Sequence, residues 1–140
     1  MTMLHSRPVN AIAAILALAG PPAVAWAHHS FASEFDAAKT VTVEGVITRA
    51  QIVNPHSWLY LDVKNKDGSV TNWGFEFGTP ATLHVKGLTK ADLQPGMTVR
   101  IEGYRSRNGG AFGYTHVATV HGKTVQMGNS YAPVKLAEAH

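Results

Sequence analysis

The sequence predicts an all-β domain carrying one short helix. Three observations lead there. Apolar residues alternate with polar ones over several short segments. Glycine and proline clusters separate those segments at turn-like intervals. A single stretch, opened by Thr79-Pro80 and closed by Gly87, carries the punctuation of a helix.

A leader precedes the domain. Arg7 is the sole Lys, Arg, Asp or Glu before Glu34, and Val9 to Ala19 (VNAIAAILALA) is apolar. Gly20-Pro21-Pro22 ends that run, and Ala25-Trp26-Ala27 fits the small-x-small cleavage pattern. Residues 1–27 are therefore expected to be a cleaved secretory signal peptide, too short in its apolar core to span a membrane. A cut after Ala25, leaving Trp26 first, is the alternative. No membrane span is expected after cleavage, and the mature protein is placed in the periplasm or outside the cell. Residues 28–128 then form one domain, and residues 129–140 a flexible tail.

Composition narrows the partners. Twelve Lys and Arg against nine Asp and Glu give a net charge of +3, which falls by one when Arg7 leaves with the leader. The charges are scattered with no basic stripe, so nucleic acid is not an expected partner. The chain has no cysteine, which excludes disulfides and thiolate metal sites. It must fold on its apolar core.

The first strand is Thr40 to Ile52, where Val41, Val43 and Ile47 share one face and Thr42, Glu44 and Thr48 the other. The second, Ser57 to Val63, places Leu59, Leu61 and Val63 inward, with His56, Trp58, Tyr60 and Asp62 outward. The third, Val70 to Phe77, places Trp73, Phe75 and Phe77 inward. Between the last two, Asn65-Lys66-Asp67-Gly68 suits a type I turn with Gly68 as a left-handed bulge residue. A three-residue loop then pairs Asn65 with Ser69, Leu61 with Trp73, Tyr60 with Gly74 and Trp58 with Glu76. A two-residue loop would turn Leu61 outward, because a slip of one residue inverts every facing.

The helix starts at Pro80 with Thr79 as its cap, and Thr89 to Leu93 adds a further turn. Pro95-Gly96 is a turn, and Met97 to Tyr104 a fourth strand with Val99 and Ile101 inward. Arg105 to Gly113 is a glycine-rich loop. Tyr114 to Val120 is a fifth strand in which neither alternation is clean. His121-Gly122 turns into a short strand at Lys123 to Met127. Five strands with a helix between the third and fourth predict an OB-fold-like barrel; another small β-sandwich or open barrel is the alternative.

Four segments carry a family resemblance: HHSFASEFD at His28 to Asp36, NPHSWLYLDV at Asn54 to Val63, VTNWGFEFGTP at Val70 to Pro80 and LQPGMTVRIEGY at Leu93 to Tyr104. Together they resemble the short exported bacterial proteins of domain-of-unknown-function family 6152. HHSF and NPH are the most specific elements. The resemblance implies a small exported domain and brings no activity with it.

The chemistry centres on the processing junction. Cleavage after Ala27 would leave His28 with a free amine and a ring nitrogen able to chelate one metal ion. Two nitrogen donors suit Cu(II), Ni(II) or Zn(II) better than Ca or Mg. This arrangement is the local chemistry of a histidine brace. A further imidazole would complete it; His56 is the better candidate and His29 the nearer one. His116 and His121 remain open, and Glu34, Asp36 and Glu76 could give oxygen donors or hold a ligating ring. Phe31 and Phe35, docked against Trp58, would bring His28 towards His56. Soft Cu(I) binding is disfavoured, since the mature chain has only Met97 and Met127. The alternative to ligation is a soluble N-terminus and a His56 that bonds within its loop.

Trp58, Tyr60 and Glu76 form a candidate ligand face on strands two and three, where OB-folds bind their ligands. Packing is the plainer account: Tyr60 over Gly74, and Trp58 over the N-terminal segment. No nucleophile elbow, phosphate-binding loop or H-E-x-x-H motif is present. Two functions follow. One is a periplasmic binding protein that carries or sequesters a divalent metal, copper foremost, through His28, His29 and His56. The other is a metal-free OB-fold module that binds an envelope protein or small ligand through its aromatic face. A copper-dependent oxidase is a distant third, so no catalytic residue is assigned.

Overall fold

A computed structural model describes residues 31–128. The predicted leader, His28, His29 and the tail from residue 129 lie outside the described residues. The elements in order are α1 (Phe31–Glu34), β1 (Phe35–Gln51), β2 (Trp58–Lys64), β3 (Val70–Glu76), α2 (Pro80–Val85), a 3₁₀ turn (Lys90–Leu93), β4 (Thr98–Ser106), β5 (Phe112–Val120) and β6 (Lys123–Gln126). The six strands form one sheet in the order β3-β2-β1-β4-β5-β6, and an additional β3–β5 pairing closes five of them into a ring.

The β2–β3 hairpin has the expected register. Trp58 faces Glu76, Tyr60 faces Gly74 and Leu61 faces Trp73. Gly68 has φ +87°, and its N–H donates to the Asn65 carbonyl at 3.0 Å. Asn65 N–H donates to the Ser69 carbonyl at 2.8 Å, closing the three-residue loop. Leu59, Leu61 and Phe75 are fully buried in consequence. Val43 and Ile47 of β1, Val99 and Ile101 of β4, and Ala118 and Val120 of β5 complete the core around them. Leu83, Leu88 and Leu93, from α2 and the segment after it, join the same core.

Three features depart from the sequence expectation. A second short helix, α1, precedes β1, where one helix was expected. β1 begins at Phe35 rather than Thr40, because Phe35 pairs with Ser106 ahead of an irregular stretch up to Thr40. Ala37, Ala38 and Lys39 carry no alternation to mark it. β4 runs to Ser106 and β5 starts at Phe112, shortening the predicted loop to residues 107–111.

β5 resisted a facing assignment for a physical reason. Glu102 pairs with Val117 and Gly103 with Thr115, leaving His116 as an extra residue. Such a bulge shifts the inward parity within one strand. Ala118 and Val120 are buried on one side of it, and Gly113 and Thr115 on the other. A Cβ on Gly103 would lie 1.9 Å from the Tyr114 carbonyl oxygen, so the bulge and the glycine fit each other.

The α2 region follows the sequence signals. Thr79 Oγ1 accepts from Thr82 N–H at 3.1 Å, and Gly87 has φ +71°. In the 3₁₀ turn, Asp92 Oδ2 accepts from the Thr89 hydroxyl and from the Thr89 N–H, both at 2.8 Å. The hydroxyl bond first, then the N–H, hold the Asp92 carboxyl below its ordinary range, with His121 and Lys123 adding attraction.

Two outcomes follow. Gly103→Ala lowers stability by on the order of 1–3 kcal/mol or more, because no flexible atom can yield to the new methyl; chemical denaturation measures it. Asp92→Asn lowers Tm near neutral pH, and the difference from the unsubstituted protein shrinks in acid. A carboxyl with a depressed pKa stabilises the fold above its unfolded value and loses that effect as pH falls through its folded value. Thermal melts across the acidic range check the convergence.

Candidate functional site

The site is built on the loop between β1 and β2. Ser57 is fully buried and ties this loop to the end of β3. Its N–H donates to the Gly78 carbonyl and its carbonyl accepts from Phe77 N–H, each at 2.8 Å. Its hydroxyl reaches back to the Val53 carbonyl at 3.3 Å. His56, the residue before this anchor, is thereby brought to Glu76 at the end of β3. Nδ1 of His56 meets Oε1 of Glu76. The carboxylate is nearly buried, at 12% exposure, and the imidazole is 42% exposed. With Nδ1 donating to Glu76, a neutral ring presents the lone pair of Nε2 outward.

The N-terminal segment reaches the same place by another route. Arg107 Nε donates to the Ala32 carbonyl at 2.7 Å, and Arg107 N–H to the Glu34 carbonyl at 2.9 Å. This holds α1 on the β4–β5 loop. Phe31 packs edge-on against Tyr104 and Tyr114, at centroid distances of 5.3 and 5.2 Å. Phe35 lies 5.6 Å from Tyr114. Docking against Trp58 was expected, and these rings choose the paired tyrosines instead. The indole is engaged elsewhere, with Tyr60 at 6.5 Å and Phe112 at 6.3 Å.

Phe31, Phe35, His56, Trp58 and Glu76 nonetheless line a single cleft of about 990 Å³. Thr115 lies on its wall, 1% exposed, and its hydroxyl has no hydrogen-bond partner. Nothing in the local sequence marks this threonine, because its inward facing depends on the bulge at His116.

The outer face of β2 and β3 carries the predicted aromatics. Tyr60 lies over Gly74, where an added Cβ would be 3.2 Å from its ring and 2.8 Å from that of Phe112. The Arg49 guanidinium sits over the Tyr60 ring at 3.9 Å. Arg49 and Phe112 escaped the sequence reading, since cross-strand neighbours become visible only once registers are known.

The remaining histidines are scattered. His84 is exposed in the last turn of α2. His116 is buried, and its Nδ1 lacks a hydrogen-bond partner. His121 lies in the β5–β6 turn with Nε2 3.9 Å from Asp92. Neither His116 nor His121 lines the cleft that His56 lines. Among the described residues, no group of three or more His, Asp or Glu could hold a metal ion. His56 and Glu76 are the pair of such side chains in contact on this cleft.

Among the described residues no helix is long and apolar enough to cross a membrane. No curated protein matches the chain. The model of DUF6152, a family of unknown function, matches residues 15–116. That span covers more than two thirds of the chain and ends at the bulge residue His116 within β5, and on it the chain belongs to the DUF6152 family.

Proposed function

We propose that this chain is exported to the periplasm, cleaved after Ala27, and carries or sequesters a divalent metal ion, copper foremost. The donors in this reading are the amine and imidazole of His28 with Nε2 of His56, and His29 as a supplementary ligand. The observation that carries it is the His56–Glu76 pair on the cleft wall. A carboxylate on one ring nitrogen fixes the tautomer and raises the basicity of the other, the usual support for a metal-binding histidine.

The reach of the chain also favours it. Phe31 lines the same cleft, and His28 precedes it by three residues, a span of at most about 11 Å when extended. The ring of five strands, with α2 between β3 and β4, is read here as an OB-type barrel. In that architecture the β1–β2 and β4–β5 loops border the ligand site. Here the first carries His56, and the second carries the Arg107 that holds α1.

A second reading has its own observation. Arg49, Tyr60, Trp58 and Phe112 form a row across the sheet, and Phe112 is 44% exposed. Such a row suits a metal-free module that binds an envelope protein or a small ligand by stacking.

Titration of Cu(II) into the processed protein separates the two. The metal reading expects submicromolar affinity, lost when one residue is added before His28. It also expects Glu76→Gln to weaken binding by about 10–100-fold while Tm is little changed. Weak binding that ignores the added residue would sink it and leave the stacking module.

A further inference from the structure

We infer that the pocket between β1 and the 3₁₀ turn is a binding site for a phosphate monoester group. The inference stands apart from metal binding at His56, and the pocket shares no lining residue with the cleft. It begins with a bulge in β1. Ile47 pairs with Leu61 and Arg49 with Tyr60, which leaves Thr48 as an extra residue. Such a bulge reverses the facing of a strand. Val43 and Ile47 lie in the core before it, and Ala50 and Ile52 pack against the core after it. Arg49 would otherwise follow Ile47 inward; it is turned out over the Tyr60 ring, at 3.9 Å. The Thr48 hydroxyl holds the bulge, donating to the Tyr60 carbonyl and accepting from the Asn72 amide, each at 3.2 Å.

Lys90 reaches the same pocket from the 3₁₀ turn, which is tied back by a bond from the Gln94 amide to the Lys90 carbonyl. No Asp or Glu lines this pocket. The acids closest by are engaged elsewhere, Asp92 by Thr89 and Asp62 by Asn72. Among the described residues, neither the Arg49 guanidinium nor the Lys90 ammonium has a hydrogen-bond or carboxylate partner. Two such cations at one concave site favour an anion, and a dianion over a monoanion. A guanidinium set over a ring keeps its in-plane N–H fork, which matches two phosphate oxygens, and a lysine adds a point charge. Volume decides how much of the ligand enters. The pocket holds about 240 Å³, less than the roughly 300 Å³ at which pockets begin to enclose a whole small molecule. The phosphate group is therefore held, and the rest of its carrier lies outside.

The test titrates the purified protein with glycerol 3-phosphate, and with acetate as the monoanionic comparison, following amide chemical shifts. Co-flotation with phosphatidylcholine vesicles, with and without phosphatidic acid, presents the same group on a lipid. Saturable binding of glycerol 3-phosphate, or of the phosphatidic acid vesicles, is expected, with shifts in the soluble titration centred on Arg49, Ala50 and Lys90. The first result puts the group on a soluble ligand, and the second alone puts it on a membrane surface. Arg49→Gln and Lys90→Gln should each weaken binding about tenfold or more. Lys66→Gln, in the β2–β3 turn, makes the same change in net charge and should leave the affinity unchanged. All three side chains belong to exposed residues, so Tm should barely move. Three results would overturn the inference: neither phosphate probe binding saturably, acetate binding as tightly as glycerol 3-phosphate, or Lys66→Gln weakening binding as much as Lys90→Gln.

Discussion

The parallel pairing of β3 with β5 is the constraint on which the rest of the molecule depends. It involves three residue pairs: Gly74 with Phe112, Phe75 with Gly113, and Glu76 with Tyr114. Without it the sheet would remain open, with β3 at one edge. The pairing demands small residues. A Cβ on Gly113 would lie 2.6 Å from the Phe75 ring and 2.9 Å from the Tyr104 carbonyl oxygen. The same three pairs set Glu76, which holds His56, beside Tyr114, on which Phe31 rests. Ring closure and cleft assembly are therefore one event.

Sequence legibility followed the range of the forces involved. The β2–β3 hairpin was readable to the residue, because turn chemistry at Gly68 and the burial of Leu61 with Trp73 admit one register. The α2 cap was readable for the same local reason, as Thr79 and Pro80 act within one turn. Long-range features were hidden. The bulge at His116 arises from the close approach of Gly103 to β5, which no pattern within β5 reports. The early start of β1 reflects a partner about seventy residues away, Ser106, and α1 is held by Arg107 over a similar distance. His56 and Glu76 were each legible as candidates, and their contact became visible only when Ser57 was seen tied to Gly78.

The cleft divides its chemistry between a packed wall and a terminal segment. The wall side is fixed by backbone bonds: Ser57 to Gly78 and Phe77 on one flank, and the β3–β5 pairs on the other. A ring held this way meets an incoming ligand without first losing rotamer freedom. The aromatic row on the outer face is separate in direction but shares Trp58, which lines the cleft and also stacks on Tyr60. One indole thus couples two surfaces, and a substitution there reports on both.

The clamp of Arg107 on α1 has a practical consequence for anyone handling this protein. Because Phe31 is seated on the cleft wall, whatever is joined just ahead of it emerges beside the cleft rather than at a remote corner. Affinity tags, fluorophores or fusion partners joined directly before Phe31 would therefore crowd the cleft. A silent result from such a preparation would describe the tag. Gly128, at the other end of the described residues, lines the same cleft. A label in the Lys66–Gly68 turn of the β2–β3 hairpin is the cleaner choice.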